Sequence, residues 1–168
     1  MEDQQILDIC KKKPVMEAQI FDVDKIVIAD WPILKCKFGC DTYGKNWTCP
    51  PHNDITPDKA RKIIKDYKRA ILLQFDSTDY KKIYNILLSI EKELLNNNFY
   101  KVFALSMGYC PLCDKCTVPN PCAHPELKRP PMEAIGIDVF KTLKNIGIEL
   151  KILEKGDKYT PYCMILLD

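Results

Sequence analysis

The run from Tyr109 to Pro131, YCPLCDKCTVPNPCAHPELKRPP, restricts this chain more than any other stretch. It contains Cys110, Cys113, Cys116 and Cys122, with His124 close behind, and its prolines rule out a continuous helix or an interior strand. A connection of this length without regular structure is uncommon in a compact domain unless it has a task of its own. Its own side chains are too polar to order it by burial. A bound metal centre is the remaining source of order, and it would make the loop part of folding as well as of function.

The spacing narrows the chemistry. Three thiolates three residues apart, Cys110-x2-Cys113-x2-Cys116, suit a compact four-iron cubane, which takes three ligands from a tight loop and a fourth from a cysteine beside a proline. A single zinc ion more often takes two C-x2-C pairs joined by a longer spacer. In the ferredoxin pattern the fourth cysteine follows after three residues; here Cys122 follows Cys116 after five, between Pro121 and Ala123. The fourth ligand is therefore Cys122 or a cysteine from elsewhere in the chain.

The other source is Cys36-x3-Cys40-x8-Cys49-Pro50-Pro51-His52. Its opening C-x3-C resembles that of radical S-adenosylmethionine enzymes. The third cysteine comes too late, and the chain is too short for the barrel that such enzymes use. Three cysteines leave one position for His52, Cys122 or Cys163, or leave it open to substrate or water, as a catalytic centre requires. Phe38, Tyr43 and Trp47 are placed to shield a centre from solvent. Lys35, Lys37, Lys45, Lys115, Lys128 and Arg129 flank the two segments. They form either a solvated face or a set of charges that offset thiolate-ligated iron and steer an acidic partner.

Nine cysteines is a high and odd number, which argues against a complete disulfide framework. The N-terminal MEDQQILDICKKK has its charges and apolar residues in the wrong order for a signal peptide, so the expectation is a cytosolic chain. In a reducing compartment clustered cysteines hold metal or do chemistry. A net charge of +2 announces no nucleic-acid partner, and no run of residues is long and apolar enough for a membrane span. Cys10, on a helix face, and Cys163, inside a strand, read as core residues. His52 and His124 read as hydrogen-bonding or capping groups beside the ligands.

The rest of the chain reads as one domain over residues 1–168, α+β or α/β in class, with a small mixed sheet covered by helices and the cysteine segments 36–52 and 110–131 as loops at its edge or end. Helices are predicted over 4–12, from Thr56-Pro57-Asp58 to about 67, over 80–96 with Thr78 or Asp79 as cap, and over 131–145. Two short strands turning at Asp22–Asp24 are predicted within 18–28, and further strands over 70–75, 101–107, 148–153 and 162–167, the last two joined as a hairpin.

The segments CKFGCDTYGKNWTCPPH and CPLCDKC through NPCAHPELKRPPMEAIGIDVF are similar to those of a family of small cysteine-rich proteins described as predicted metal-binding proteins, found in methanogenic archaea and anaerobic bacteria. The resemblance covers most of the chain and implies Cys36, Cys40, Cys49, Cys110, Cys113, Cys116 and Cys122 as metal-site residues. It also implies that Arg129–Ala134 is the turn into a helix that closes the site, and that the setting is anaerobic. The combined expectation is a protein binding one or two [4Fe–4S] clusters and serving as an electron carrier or redox component for a partner enzyme. Two rivals stand beside it. One is a small metalloenzyme with an open metal position; the other is a structural zinc module for interactions.

Overall fold

A computed structural model describes all residues, Met1–Asp168. Its centre is a four-stranded sheet of β1 (Glu17–Asp22), β2 (Arg69–Gln74), β3 (Phe103–Leu105) and β4 (Tyr162–Leu166), in the order β1-β2-β4-β3. All three ladders are antiparallel. Five helices complete the α+β fold: α1 (Asp3–Lys11), α2 (Trp31–Gly39), α3 (Pro57–Ile64), α4 (Tyr80–Asn96) and α5 (Val139–Asn145).

The sheet is covered on both faces, and the pleat sorts its side chains. Ile71, Leu73, Cys163 and Ile165 join a core with Ile6, Ile9 and Cys10 of α1 and Ile83, Leu87, Ile90 and Leu94 of α4. Ala70, Leu72, Met164 and Leu166 join a second core with Ala60 and Ile64 of α3, Leu143 of α5, and Met132, Ile135 and Ile137. Because both sides are dry, β2 and β4 are apolar at consecutive positions rather than alternate ones. Cys10 and Cys163 are wholly buried core residues, as expected.

Helix starts follow their sequence signals. Thr56 accepts a hydrogen bond from the Lys59 N–H with Pro57 in the first turn of α3, and Asp79 caps α4 through the Lys82 N–H at 3.0 Å. No helix is long and apolar enough to cross a membrane.

Five expectations are corrected. Cys36 does not lie in a loop: Pro32 occupies the first turn of α2, where proline opens a helix instead of breaking one, and Cys36 falls within that helix. Residues 23–28 form no second strand; a 3-10 turn (Val23–Lys25) follows β1, and Ile28 makes only an isolated bridge to Ile137. The third strand is shorter than 101–107. The helix expected over 131–145 is split into a 3-10 turn (Met132–Ile135) and α5, because Gly136 between them has a left-handed φ of +88°. A Cβ there would stand 2.9 Å from the Ala29 carbonyl oxygen and from Pro57, so the chain passes too close for any other residue.

The fifth concerns residues 148–153, which are not a strand and form no hairpin with β4. Strand β4 is central, with β2 on one edge and β3 on the other, so no free edge remains for them. Ile152 is accordingly 85% exposed.

Candidate metal centre

The long cysteine segment leaves and rejoins the fold at one point. Edge strand β3 ends at Leu105, and Ser106 makes a parallel bridge to Pro131. The Ser106 N–H donates to the Pro130 carbonyl at 2.9 Å, and the Met132 N–H donates to the Ser106 carbonyl at 3.1 Å. Everything between is an irregular excursion closed at its base.

Helix α4 fixes that excursion. The Tyr84 hydroxyl donates to the Leu127 carbonyl at 3.1 Å and accepts from the Arg129 N–H at 2.5 Å. The Arg129 guanidinium grips both oxygens of Glu91, at 2.8 to 3.0 Å, and stacks over the Phe103 ring. Glu91, only 6% exposed, also accepts from the Ala104 N–H of β3. Arg129 therefore belongs to a buried anchor and not to the free flanking charges expected of it. Lys35, Lys37, Lys45 and Lys115 are exposed, whereas Lys128 lies over the Trp47 ring.

Within the excursion, Cys110, Cys113, Cys116 and Cys122 line one small cavity together with His124, Leu112, Trp47 and Thr48. None of the nine cysteines is in a disulfide. Burial pushes the Cys110 thiol pKa up. The Leu112 N–H and the Tyr84 hydroxyl oppose that rise, while Cys122 and Cys116 add to it. The His124 backbone N–H points at the Cys122 sulfur at 3.4 Å.

The first cysteine group is separate. Cys36 lies in the last turns of α2, Cys40 follows as its C-terminal cap, and Cys49 returns on the turns after it. Cys49 is buried and its pKa is pushed up to about 11, by desolvation first, with Cys36 and Cys40 adding to the rise. Cys36 is raised by desolvation, by Cys40 and by Glu133. Cys40 is exposed, with its sulfur 3.1 Å from the Thr42 hydroxyl.

The fourth-ligand candidates for this group are engaged elsewhere. Cys122 lines the other cavity and Cys163 lies in the core. His52 Nε2 pairs with the Gly44 carbonyl oxygen at 3.1 Å, and its ring stands edge-on to Trp47. Of the expected aromatic shield, Phe38 is 76% exposed and shields nothing, and Trp47 faces the second cavity rather than the first group. Trp47 nonetheless ties the two segments together, because its indole N–H donates to the Asn120 carbonyl at 3.0 Å. Thr48, lining the second cavity, is covalently next to Cys49 of the first group.

Both groups are soft donor sets in which burial first, and neighbouring thiols second, raise the pKa of Cys110, Cys36 and Cys49; this disfavours thiolate at those positions until a cation is present to reverse the effect. That chemistry fits a thiolate-ligated metal. The cavity among the four thiols is only about 20 Å³, room for about one water molecule. No three His, Cys, Asp or Glu side chains already stand in an arrangement that could hold a metal ion. The donors are gathered, but the coordination sphere is not preformed.

Residues 19–167 match the family described as "Predicted metal-binding protein" (DUF2284). The chain belongs to this family. No curated protein and no solved structure matches it. Metal binding is thus the family's description.

Three contributors were not legible in the sequence as site residues. Tyr84 and Glu91 sit on the stripe of a long amphipathic helix, where they look like a core aromatic and a solvated charge. Glu133 lies in the Met132–Ile135 turn against which α2 packs. A glutamate between prolines, methionine and alanine was the one available signal.

Proposed function

We propose that the protein binds a [4Fe–4S] cluster through Cys110, Cys113, Cys116 and Cys122 and acts as an electron carrier or redox component for a partner enzyme. The observation that carries this reading is the convergence of four free thiols on one cavity inside a closed excursion of the chain. The C-x2-C-x2-C order of three of them favours a cubane over a single zinc ion.

Such a cluster, when bound, takes up and releases one electron. The chain's residues would tune that exchange. The Leu112 N–H beside the Cys110 thiol stabilises negative charge there and so favours the reduced form. Trp47 and Leu112 line the same cavity as the thiols and would give a bound cluster an apolar flank. Cys36, Cys40 and Cys49 would hold a second centre whose Cys40 end reaches the surface. The exposed Lys35, Lys37 and Lys45 beside it would steer an acidic redox partner.

The exposure of Cys40 favours a second reading, in which the three-thiol group keeps an open position and binds substrate. Replacing Cys49 by Ser distinguishes the two. A carrier retains the second-segment centre and its electron exchange, whereas an enzyme retains that centre and loses turnover.

The first experiment is oxygen-free purification with iron, zinc and acid-labile sulfide quantified in one sample. The expected protein is brown, with absorbance near about 400 nm that bleaches with dithionite, and Cys116→Ser loses that centre. A colourless protein carrying stoichiometric zinc overturns the proposal.

A further inference from the structure

Helix α2 buries only one of its two faces. Pro32, Ile33 and Cys36 turn inward, where the helix packs on the Met132–Ile135 turn. Trp31, Leu34 and Phe38, spaced three and four residues apart, form a stripe on the opposite face. Leu34 is 58% exposed and Phe38 76% exposed. Single apolar side chains at a surface need no explanation. Three large ones in one stripe of a nine-residue helix mark a contact surface.

The stripe is already held in place. The Trp31 indole N–H donates to Asp138 at 2.9 Å, which fixes the ring while much of it stays in solvent. An aromatic anchor fixed in advance loses little freedom on binding. At about 100° per residue, Lys35 lies along one side of the stripe and Lys37 along the other. Both are exposed and neither is in an ion pair; the Lys37 ammonium lies over the Phe38 ring. Asp30 and Asp41 stand beyond the two ends of the helix and not on its flanks. The face is thus apolar along its centre and positive on both sides.

We infer that the outer face of α2 docks a partner protein whose own contact surface is an apolar ridge flanked by carboxylates. A second copy of this chain fits poorly. Two α2 helices packed on each other, parallel or antiparallel about their middles, bring lysine to lysine and aspartate to aspartate, and opposed like charges cost affinity. An anionic membrane fits poorly too, because a uniformly charged surface meets Asp30 and Asp41 as well as the lysines. A protein can set its carboxylates against the two flanks alone. The inference deepens the redox reading and rests on it for one point, that the partner exchanges electrons. Helix α2 carries Cys36 and leads into the exposed Cys40, so a protein seated on it stands beside the first cysteine group.

The test uses the full-length protein, purified without oxygen, and three synthetic peptides of about 20 residues, a length that sustains a helix in water. The first has a leucine seam flanked by glutamates, the second the same seam flanked by lysines, and the third the glutamates with serines in the seam. Titrated calorimetrically, the first should bind about tenfold or more tightly than either of the others, and more weakly as salt is raised. Leu34→Ser and Phe38→Ser, both at exposed positions that folding tolerates, should each weaken it about tenfold or more. Lys35→Glu with Lys37→Glu should reverse the preference, so that the lysine-flanked peptide binds best. No binding of the first peptide, equal binding of all three, or binding that survives both serine substitutions overturns the inference. So does a homodimer in sedimentation, or adsorption to phosphatidylglycerol vesicles, that Phe38→Ser abolishes; the one assigns the face to a second copy and the other to a membrane. If the variants fail to fold, the ranking of the three peptides on the native chain decides it. Iron is counted separately, so the docking inference and the redox reading can fail independently.

Discussion

The two cysteine segments are mounted on different kinds of structure. The first begins on a helix: α2 lies on the Met132–Ile135 turn, Gly136 lets Ala29 and Pro57 approach, and the Trp31 indole N–H donates to Asp138 at 2.9 Å. The second is carried by polar contacts, a buried Arg129–Glu91 pair and a tyrosine hydroxyl that donates and accepts at the base of the excursion. A helix satisfies most of its own backbone groups and needs only a few outside partners. A long irregular loop has backbone groups to satisfy and must borrow partners from a neighbouring element. The same donor chemistry is thus mounted once on regular structure and once on a polar clamp.

The contrast can be broken most forcefully at Glu91. Glu91→Gln leaves Arg129 half-buried with a poor partner and should cost about 3 kcal/mol, read as a drop in denaturant midpoint. If the second segment depends on this clamp, metal bound by Cys110–Cys122 falls while the first group's reactivity to a thiol reagent is unchanged. Equal damage to both segments would falsify the division. Next in size is Gly136→Ala, which forces a side chain into a left-handed conformation and a 2.9 Å contact. A loss of about 1–3 kcal/mol is expected. Here the first segment should respond, with Cys49 alkylated faster in metal-free protein, and the second should not. Smallest is Trp47→Phe, which removes the indole N–H donor to Asn120 and should cost about 0.5–1.5 kcal/mol. Because Trp47 bridges the segments, this change alone should loosen both, which limited proteolysis near Asn120 and near Lys45 would reveal.

Much of the fold was readable from the chain itself. The apolar runs of β2 and β4, the stripe of α4 and the caps at Thr56 and Asp79 act through near neighbours in sequence, so they survive translation into structure nearly intact. The errors share a different cause. Residues 148–153 have the composition of a strand, but whether a strand forms depends on a free sheet edge, and β4 has none to give. Residues 131–145 have the periodicity of one helix, but a close approach by Ala29, distant in sequence, requires Gly136 to turn left-handed. Arg129 looked like a solvated charge because its partner Glu91 lies 38 residues away.

The candidate site divides in the same way. Residue type and short spacing already declared sulfur donors in two sets, since a C-x2-C-x2-C run needs nothing beyond itself to suggest wrapping around a compact inorganic core. What the tertiary structure decided was grouping: Cys122 lines one cavity with Cys110, Cys113 and Cys116, while Cys49 lies within electrostatic reach of Cys36 and Cys40 instead. Ligand identity is a property of single side chains, which a sequence states outright. Which of them meet is a property of chain paths that close over tens of residues, and only packing against a common sheet settles those.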